Sequence, residues 1–176
     1  NDENSGMYDV LVYDFEGGSS RNISPDIASG KIKGLIEVRD TIVAELMANN
    51  NTMAKTLVDE VNKVHQQGFG LAEFRNTGGR NFFKQIESLD NAAKNIEIDD
   101  TILNSVNAIS AASAANTPGD NVNANALLNI KTERLFVDKT ASFTDFYANY
   151  VGILGTETER ARLVNEADKV LHTDLF

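Results

Sequence analysis

Residues 31–67 read KIKGLIEVRDTIVAELMANNNTMAKTLVDEVNKVHQQ. Along them Ile32, Leu35, Ile36, Ile42, Leu46, Met53, Leu57, Val61 and Val64 recur mostly in steps of three, four and seven, the spacing of one face of an α-helix. Only Arg39 and Asn50 interrupt that face. At 1.5 Å per residue such a helix is roughly 54 Å long. The run Asn49-Asn50-Asn51 is the place where it could split, with Thr52 capping a second half. The reading taken is one continuous or gently kinked helix, closed by Gly68 and Gly70.

Working outward, a second apolar stripe follows Ser142, a natural N-cap: Phe143, Tyr147, Tyr150, Leu154, Ala161, Val164 and Leu171. Its polar face pairs Glu157 with Arg160, Glu159 with Arg162 and Glu166 with Lys169, one turn apart. Two stripes of similar length can cover each other by packing antiparallel. Upstream, Met7 to Phe15 alternates like a strand, Gly17-Gly18 is a turn, and Arg21 to Ser24 is a short returning partner. Residues Phe69 to Asp100 are irregular, with a possible strand at Asn95 to Ile98. Asp100 is expected to cap a helix from Thr101 to Ser113. Asp120 or Asn121 should cap the next, with Ala124, Leu127, Leu128, Ile130 and Leu135 inward.

The expected fold is therefore mainly α: an elongated antiparallel bundle of two long helices with shorter helices and a small β-hairpin. It is read as one rod-like domain over 1–176. Its parts are the hairpin and approach at 1–30, a long helix at 31–67, an irregular segment with a short helix at 68–118, a helix at 119–137 and a long helix at 142–172.

Sixteen basic and 26 acidic side chains in 176 residues leave a net charge of −10. An acidic chain lacks the clustered cations that bind phosphate, which argues against nucleic-acid and anionic-membrane partners. No stretch is long and apolar enough to span a membrane, and the acidic start Asn1 to Asn4 is not a signal peptide. With no cysteine and only two histidines, disulfides, thiolate zinc sites and multi-His metal sites have no raw material. No cofactor is expected.

Each candidate for chemistry has a blander explanation. His65 lies in the last turn of the first long helix, where a partly protonated ring would suit the helix dipole, so it is read as capping or packing. His172 is given no role. NTGGRNFF lacks the spacing of a phosphate loop and reads as a turn delivering Phe82 and Phe83 to the core. DNVNAN offers oxygen side chains as calcium loops do, but Ala126 and Thr132 stand where Gly and Glu would be needed, so helix capping is preferred. Asp99 with Asp100, and Glu87 with Asp90, read as solvated turn residues. Gly152 and Gly155 each cost the last helix about 1 kcal/mol, which calls for a close neighbour or a local break.

The segment GKIKGLIEVRD at Gly30 to Asp40, the helix closing on VNKVHQQG, the loop ending at Phe83, GDNVNANALLNI at Gly119 to Ile130 and SFTDFYANYVGILG at Ser142 to Gly155 occur in one order. Together they resemble the hook-filament junction family of bacterial flagella, the first hook-associated protein. The matching positions are Gly30, Gly34, Leu35, Arg39, Asp40, Asn62, His65, Gly68, Phe83, Gly119, Asp120, Asn121, Asn123 and Gly155. The family's N-terminal segment, its C-terminal SGVNLDEE segment and the β-rich insertion of some relatives have no counterpart here, so the chain reads as a central fragment. The resemblance implies an exported, extracellular, non-catalytic flagellar component that adapts hook to filament. Its implied partners are hook protein, the second junction protein and further copies of itself, with an export chaperone on the missing C-terminal segment. The fragment alone is expected to be monomeric. The rival reading is an extracellular helical adhesin or ligand-binding module, with an exposed apolar or aromatic patch between Phe69 and Phe83. A hydrolase using His65 and a carboxylate ranks well below both.

Overall fold

A computed structural model describes residues 7–175. The acidic start at residues 1–4 and the side chain of His172 lie outside the described part. The chain is mainly helical with one small sheet, as expected. It forms two compact units, Asn1–Ala48 and Asn49–Phe176.

In the first unit β1 (Leu11–Asp14) pairs antiparallel with β2 (Ser19–Asn22), Leu11 opposite Asn22 and Asp14 opposite Ser19. The first strand is shorter than the alternating pattern predicts, and its partner, of the expected length, begins two residues earlier. Asp14 is the reason: its carbonyl accepts from Gly18 N–H at 2.9 Å and its carboxylate from Glu16 N–H at 3.0 Å, which starts the turn there. Gly18 sits at φ +64°, a conformation that glycine adopts freely. At the far end Ser24 and Pro25 leave the ladder for a 3₁₀ turn. Helix α1 (Gly30–Glu37) runs through a π-helical stretch (Val38–Val43) into α2 (Ala44–His65), so helical backbone continues from Gly30 to His65. No described residue before Ala54 is buried. Ile32, Leu35, Val38 and Met47, all apolar, are each about half exposed.

In the second unit the asparagine run does not break the helix. Asn50 and Asn51 instead reach out of it: Asn50 Oδ1 accepts from Tyr150 Oη at 3.2 Å, and Asn51 Oδ1 from Ala93 N–H at 3.0 Å. The buried line on α2 is Ala54, Val58, Asn62 and His65, spaced four, four and three. It lies one residue over from the expected Met53, Leu57, Val61 and Val64, which are only half-buried. Ala54 and Val58 form a small core with Ile86 and Ala92, and Phe83 and Ile96 pack against it. Small residues line the helix here because the irregular chain comes close to its backbone.

Residues 95–98 act as a strand of one bridge only, Phe83 opposite Ile98. Helix α3 (Asp100–Asn104) is capped by Asp99, not Asp100: the Asp99 carboxylate accepts from Thr101 N–H at 2.9 Å. It ends far short of Ser113, because Ser105 turns extended and a 3₁₀ turn (Val106–Ala108) follows. Helix α4 (Val122–Asn129) also stops before the expected residue 137. The polar run Lys131 to Arg134 offers it no buried face, and Phe136 is buried separately, in a bridge to Ala141 closed by three left-handed residues, Val137 to Lys139.

Ser142 caps α5 (Phe143–Leu175) as expected, in a reciprocal box with Asp145: Ser142 Oγ accepts from Asp145 N–H at 3.3 Å, and the Asp145 carboxylate accepts from Ser142 N–H at 3.0 Å. Those donors hold the Asp145 carboxyl below the usual carboxylate range. Phe136 stacks on Phe146 at 4.5 Å and meets Phe143 edge-on at 4.8 Å. Glu157 pairs with Arg160 and Glu159 with Arg162, whereas Glu166 pairs with Arg162 and not with Lys169. From Thr158 to Leu171 every residue of α5 is exposed.

Neither Gly152 nor Gly155 breaks α5, and a Cβ added at either meets nothing within 4 Å. Replacing Gly152 with Ala should therefore stabilise the chain by about 1 kcal/mol, the propensity difference alone. Urea unfolding of the variant measures this, and a loss of stability would show that the small residue is needed for contact.

Candidate functional site

The most constrained place in the molecule is where α2 ends. Its last turns carry Asn62, 2% exposed, and His65, fully buried, where an apolar pair would be the ordinary choice. Irregular segments pack around them, and such segments bring backbone N–H and C=O groups that no helix or sheet satisfies. The two side chains supply the partners.

Asn62 Oδ1 accepts from both Phe82 N–H and Phe83 N–H at 2.9 Å, and its Nδ2 donates to Phe83 C=O at 2.9 Å. One carboxamide thus fixes the Phe pair on the helix, and Phe83 delivers its ring to the core beside Ala54 and Val58. His65 reaches two other backbones. Ser110 N–H donates to Nε2 at 2.9 Å, and Arg80 C=O lies 2.8 Å from Nδ1. An amide can only donate, so Nε2 is bare and Nδ1 carries the proton. The ring is neutral, contrary to the partly charged imidazole expected at a helix terminus. Burial, above all, holds its pKa below the ordinary histidine value. The packing role itself is as expected, and Phe82 meets the ring edge-on at 5.5 Å.

Around this pair the loops are tied to each other. Phe69 and Ala112 exchange backbone bonds at 2.8 and 3.1 Å, and Leu71 N–H donates to Asn107 C=O at 2.8 Å. Asn123, from the first turn of α4, donates Nδ2 to Ser110 C=O at 2.6 Å. Gly68 passes between them so closely that a Cβ would sit 2.9 Å from Ser110 C=O and against the Asn123 carboxamide. Arg80 spans the outside, donating to Ala108 C=O and Ser110 Oγ at 3.2 Å, with its guanidinium 4.8 Å from the Phe74 ring.

Five of the family-motif positions therefore meet at one place: Asn62, His65, Gly68, Phe83 and Asn123. The others lie elsewhere. Gly30 opens α1 at φ +82°, Gly34 is helical with open space around it, and Leu35 is 60% exposed. Arg39 forms an ion pair with Asp40 and donates to Tyr8 C=O. Gly119 turns at φ +91° ahead of Asp120, whose carboxylate accepts from Val122 N–H and from Ser113 N–H, capping α4 as expected. Asn121 Oδ1 accepts from Asn125 Nδ2 at 3.3 Å, and Gly155 lies on the open face of α5. Ser110 and Arg80 were not singled out by sequence. Ser110 meets His65 and Asn123 through its backbone, which any residue type could supply, and Arg80 through its hydroxyl, while Arg80 could have been noticed as the lone cation between a Gly pair and a Phe pair.

Chemically, the cluster holds backbone in place and offers nothing to a substrate. Both His65 nitrogens are engaged and the ring has no exposed surface. Asp99 caps a helix and Asp100 lies 3.3 Å from Lys84. A shallow cleft of about 340 Å³ near Leu71 and Pro118 has Arg75 as its one charged lining side chain, already donating to Ala72 C=O.

Replacing Asn62 with Ala orphans two partly buried N–H groups and a carbonyl, and should cost about 2–3 kcal/mol. Gly68→Ala should also destabilise, by about 1–3 kcal/mol through overpacking. Urea titration of both variants checks this; a near-neutral Asn62→Ala would mean that the loops are held some other way.

Among known proteins, the family model for the helical domain of flagellar hook-associated protein FlgK matches residues 1–83. Flagellar hook-associated protein 1 of Bacillus subtilis (strain 168) is 30% identical over 162 residues, covering 82% of this chain. The chain spans 31% of that relative's length. No solved structure matches. Over residues 1–83 by the family model, and over most of its length by the longer alignment, the chain is a FlgK-like fragment.

Proposed function

We propose that this chain serves as a structural, non-catalytic part of an adaptor joining hook to filament in the bacterial flagellum. The observation that carries the reading is the alignment with a hook-associated protein over 82% of the chain. The site chemistry supports it, since the most buried polar side chains are spent on backbone. The chain works outside the cell after export by the flagellar secretion system. It meets hook protein, the second junction protein and copies of itself, and an export chaperone binds a C-terminal segment beyond these residues. The matching motif positions serve packing and capping.

The hairpin is the surface proposed to face neighbouring subunits. Tyr8 and Phe15 are 89% and 90% exposed, and Leu11, Val12 and Tyr13 each about half. Surfaces of that kind are covered in assemblies. The finer architecture, the two long apolar stripes lying antiparallel, is proposed for the assembled protein; within the chain the Tyr150–Asn50 hydrogen bond joins the two helices. The adhesin reading needs an exposed apolar or aromatic patch between Phe69 and Phe83; there Leu71 is 55% exposed, while Phe69, Phe74, Phe82 and Phe83 are all half-buried.

Deleting the gene should leave cells with hooks and without attached filaments, and antibody labelling of intact flagella should mark one band at the junction. Filaments still attached to hooks would reject the proposal. The 176-residue chain itself should scatter light as a monomer, and stable rings at micromolar concentration would contradict that. A Tyr13→Ser, Phe15→Ser double variant should keep the chain's melting temperature while lowering filament attachment; unchanged attachment would remove the hairpin from the interface.

A further inference from the structure

We propose that His65 is an acid-releasable latch: as a neutral ring it ties the end of α2 to two separate loops, one through each nitrogen, and on taking up a proton it lets go of the loop at Ser110. A protonated imidazole carries N–H at both nitrogens. Nε2–H would then face the Ser110 N–H that now donates to it at 2.9 Å, and an attraction becomes a repulsion between two donors. The ring is fully buried, so water has no access to relieve the clash. Nδ1 keeps its bond to Arg80 C=O in either state, which makes the release one-sided.

The charges facing the ring decide how readily it takes up the proton. From segment 78–83 the Arg80 guanidinium opposes it; from the start of α3 the Asp99 carboxylate favours it. Segment 107–112 has no ionisable side chain, and Asn123 of α4 is neutral. On α2 itself Lys63 is paired with Glu60 and mostly exposed. Burial is the largest influence, and the net direction is downward from 6.5.

A group whose folded pKa lies below its unfolded value makes the unfolded or released state the better proton binder. Stability is therefore complete above about pH 6.5 and declines as pH falls below it, until the folded ring also titrates. Release propagates, because Ser110 also anchors Arg80 and Asn123. The segment freed is 107–112, which bridges to Phe69 and Leu71. Asp120 and Asp145, held below the usual carboxylate range by the N–H groups they accept from, titrate outside this window.

The test uses the 176-residue chain carrying His172→Gln, so that His65 is its one imidazole, labelled with ¹⁵N. At pH 7.5 the ring should show a protonated Nδ1 and a bare Nε2. Between pH 8 and 7 the urea unfolding constant should be flat; below about pH 6.5 it should rise by up to tenfold per pH unit, and the Ser110 amide resonance should move with the ring's own midpoint. In a further His65→Gln variant the slope between pH 7 and 5 should vanish. A ring protonated at Nε2, a His65 midpoint at or above 6.5, or a slope that survives in His65→Gln would each overturn the latch. Should that variant not fold, the ring's nitrogen shifts and midpoint decide alone.

Discussion

Backbone groups in irregular chain must find hydrogen-bond partners, and around the end of α2 two side chains one turn apart provide them. Asn62 satisfies three groups on Phe82 and Phe83, and His65 satisfies one each on Arg80 and Ser110. Without these bonds, the segments from Phe69 to Phe83 and from Asn107 to Ala112 would face a helix whose buried line is Ala54 and Val58, too little apolar surface to hold them. The apolar core, the Gly68 close approach and the Arg80 clamp all presuppose that the loops already lie where Asn62 and His65 place them.

This explains which parts of the fold were legible in the sequence. Helical periodicity marked α2 and α5, and cap chemistry marked Ser142 and Asp120, because those signals are local. The buried line of α2 was misread by one residue. Hydrophobicity pointed to Met53, Leu57, Val61 and Val64, but the loops needed a face short enough to approach, with amides able to bond to them. Helices α3 and α4 were drawn too long, because alanine-rich and leucine-rich runs favour helix locally while Ser105 and the polar run after Ile130 end it. The two bonds that His65 makes could not be read. Ser110 and Arg80 contribute main-chain groups, and main chain has no sequence signature; charge at a helix terminus was the local guess, and burial overrode it.

The remainder of the molecule is unusually uncovered. No described residue before Ala54 is buried, and α5 is exposed from Thr158 to Leu171 although Leu163, Val164, Val170 and Leu171 are apolar. Most of its buried polar groups are gathered at one helix end, and apolar surface is exposed elsewhere among the described residues. FlgK-like sequence runs over most of the same chain.

Native-state hydrogen exchange at pH 7 tests the central claim most directly, because the amides of Phe82, Phe83 and Ser110 are bonded to side chains and to no regular secondary structure. They should exchange only through global unfolding, as slowly as amides in the middle of α2 such as Val58. Exchange at exposed-loop rates while Val58 stays protected would show that Asn62 and His65 do not hold the loops.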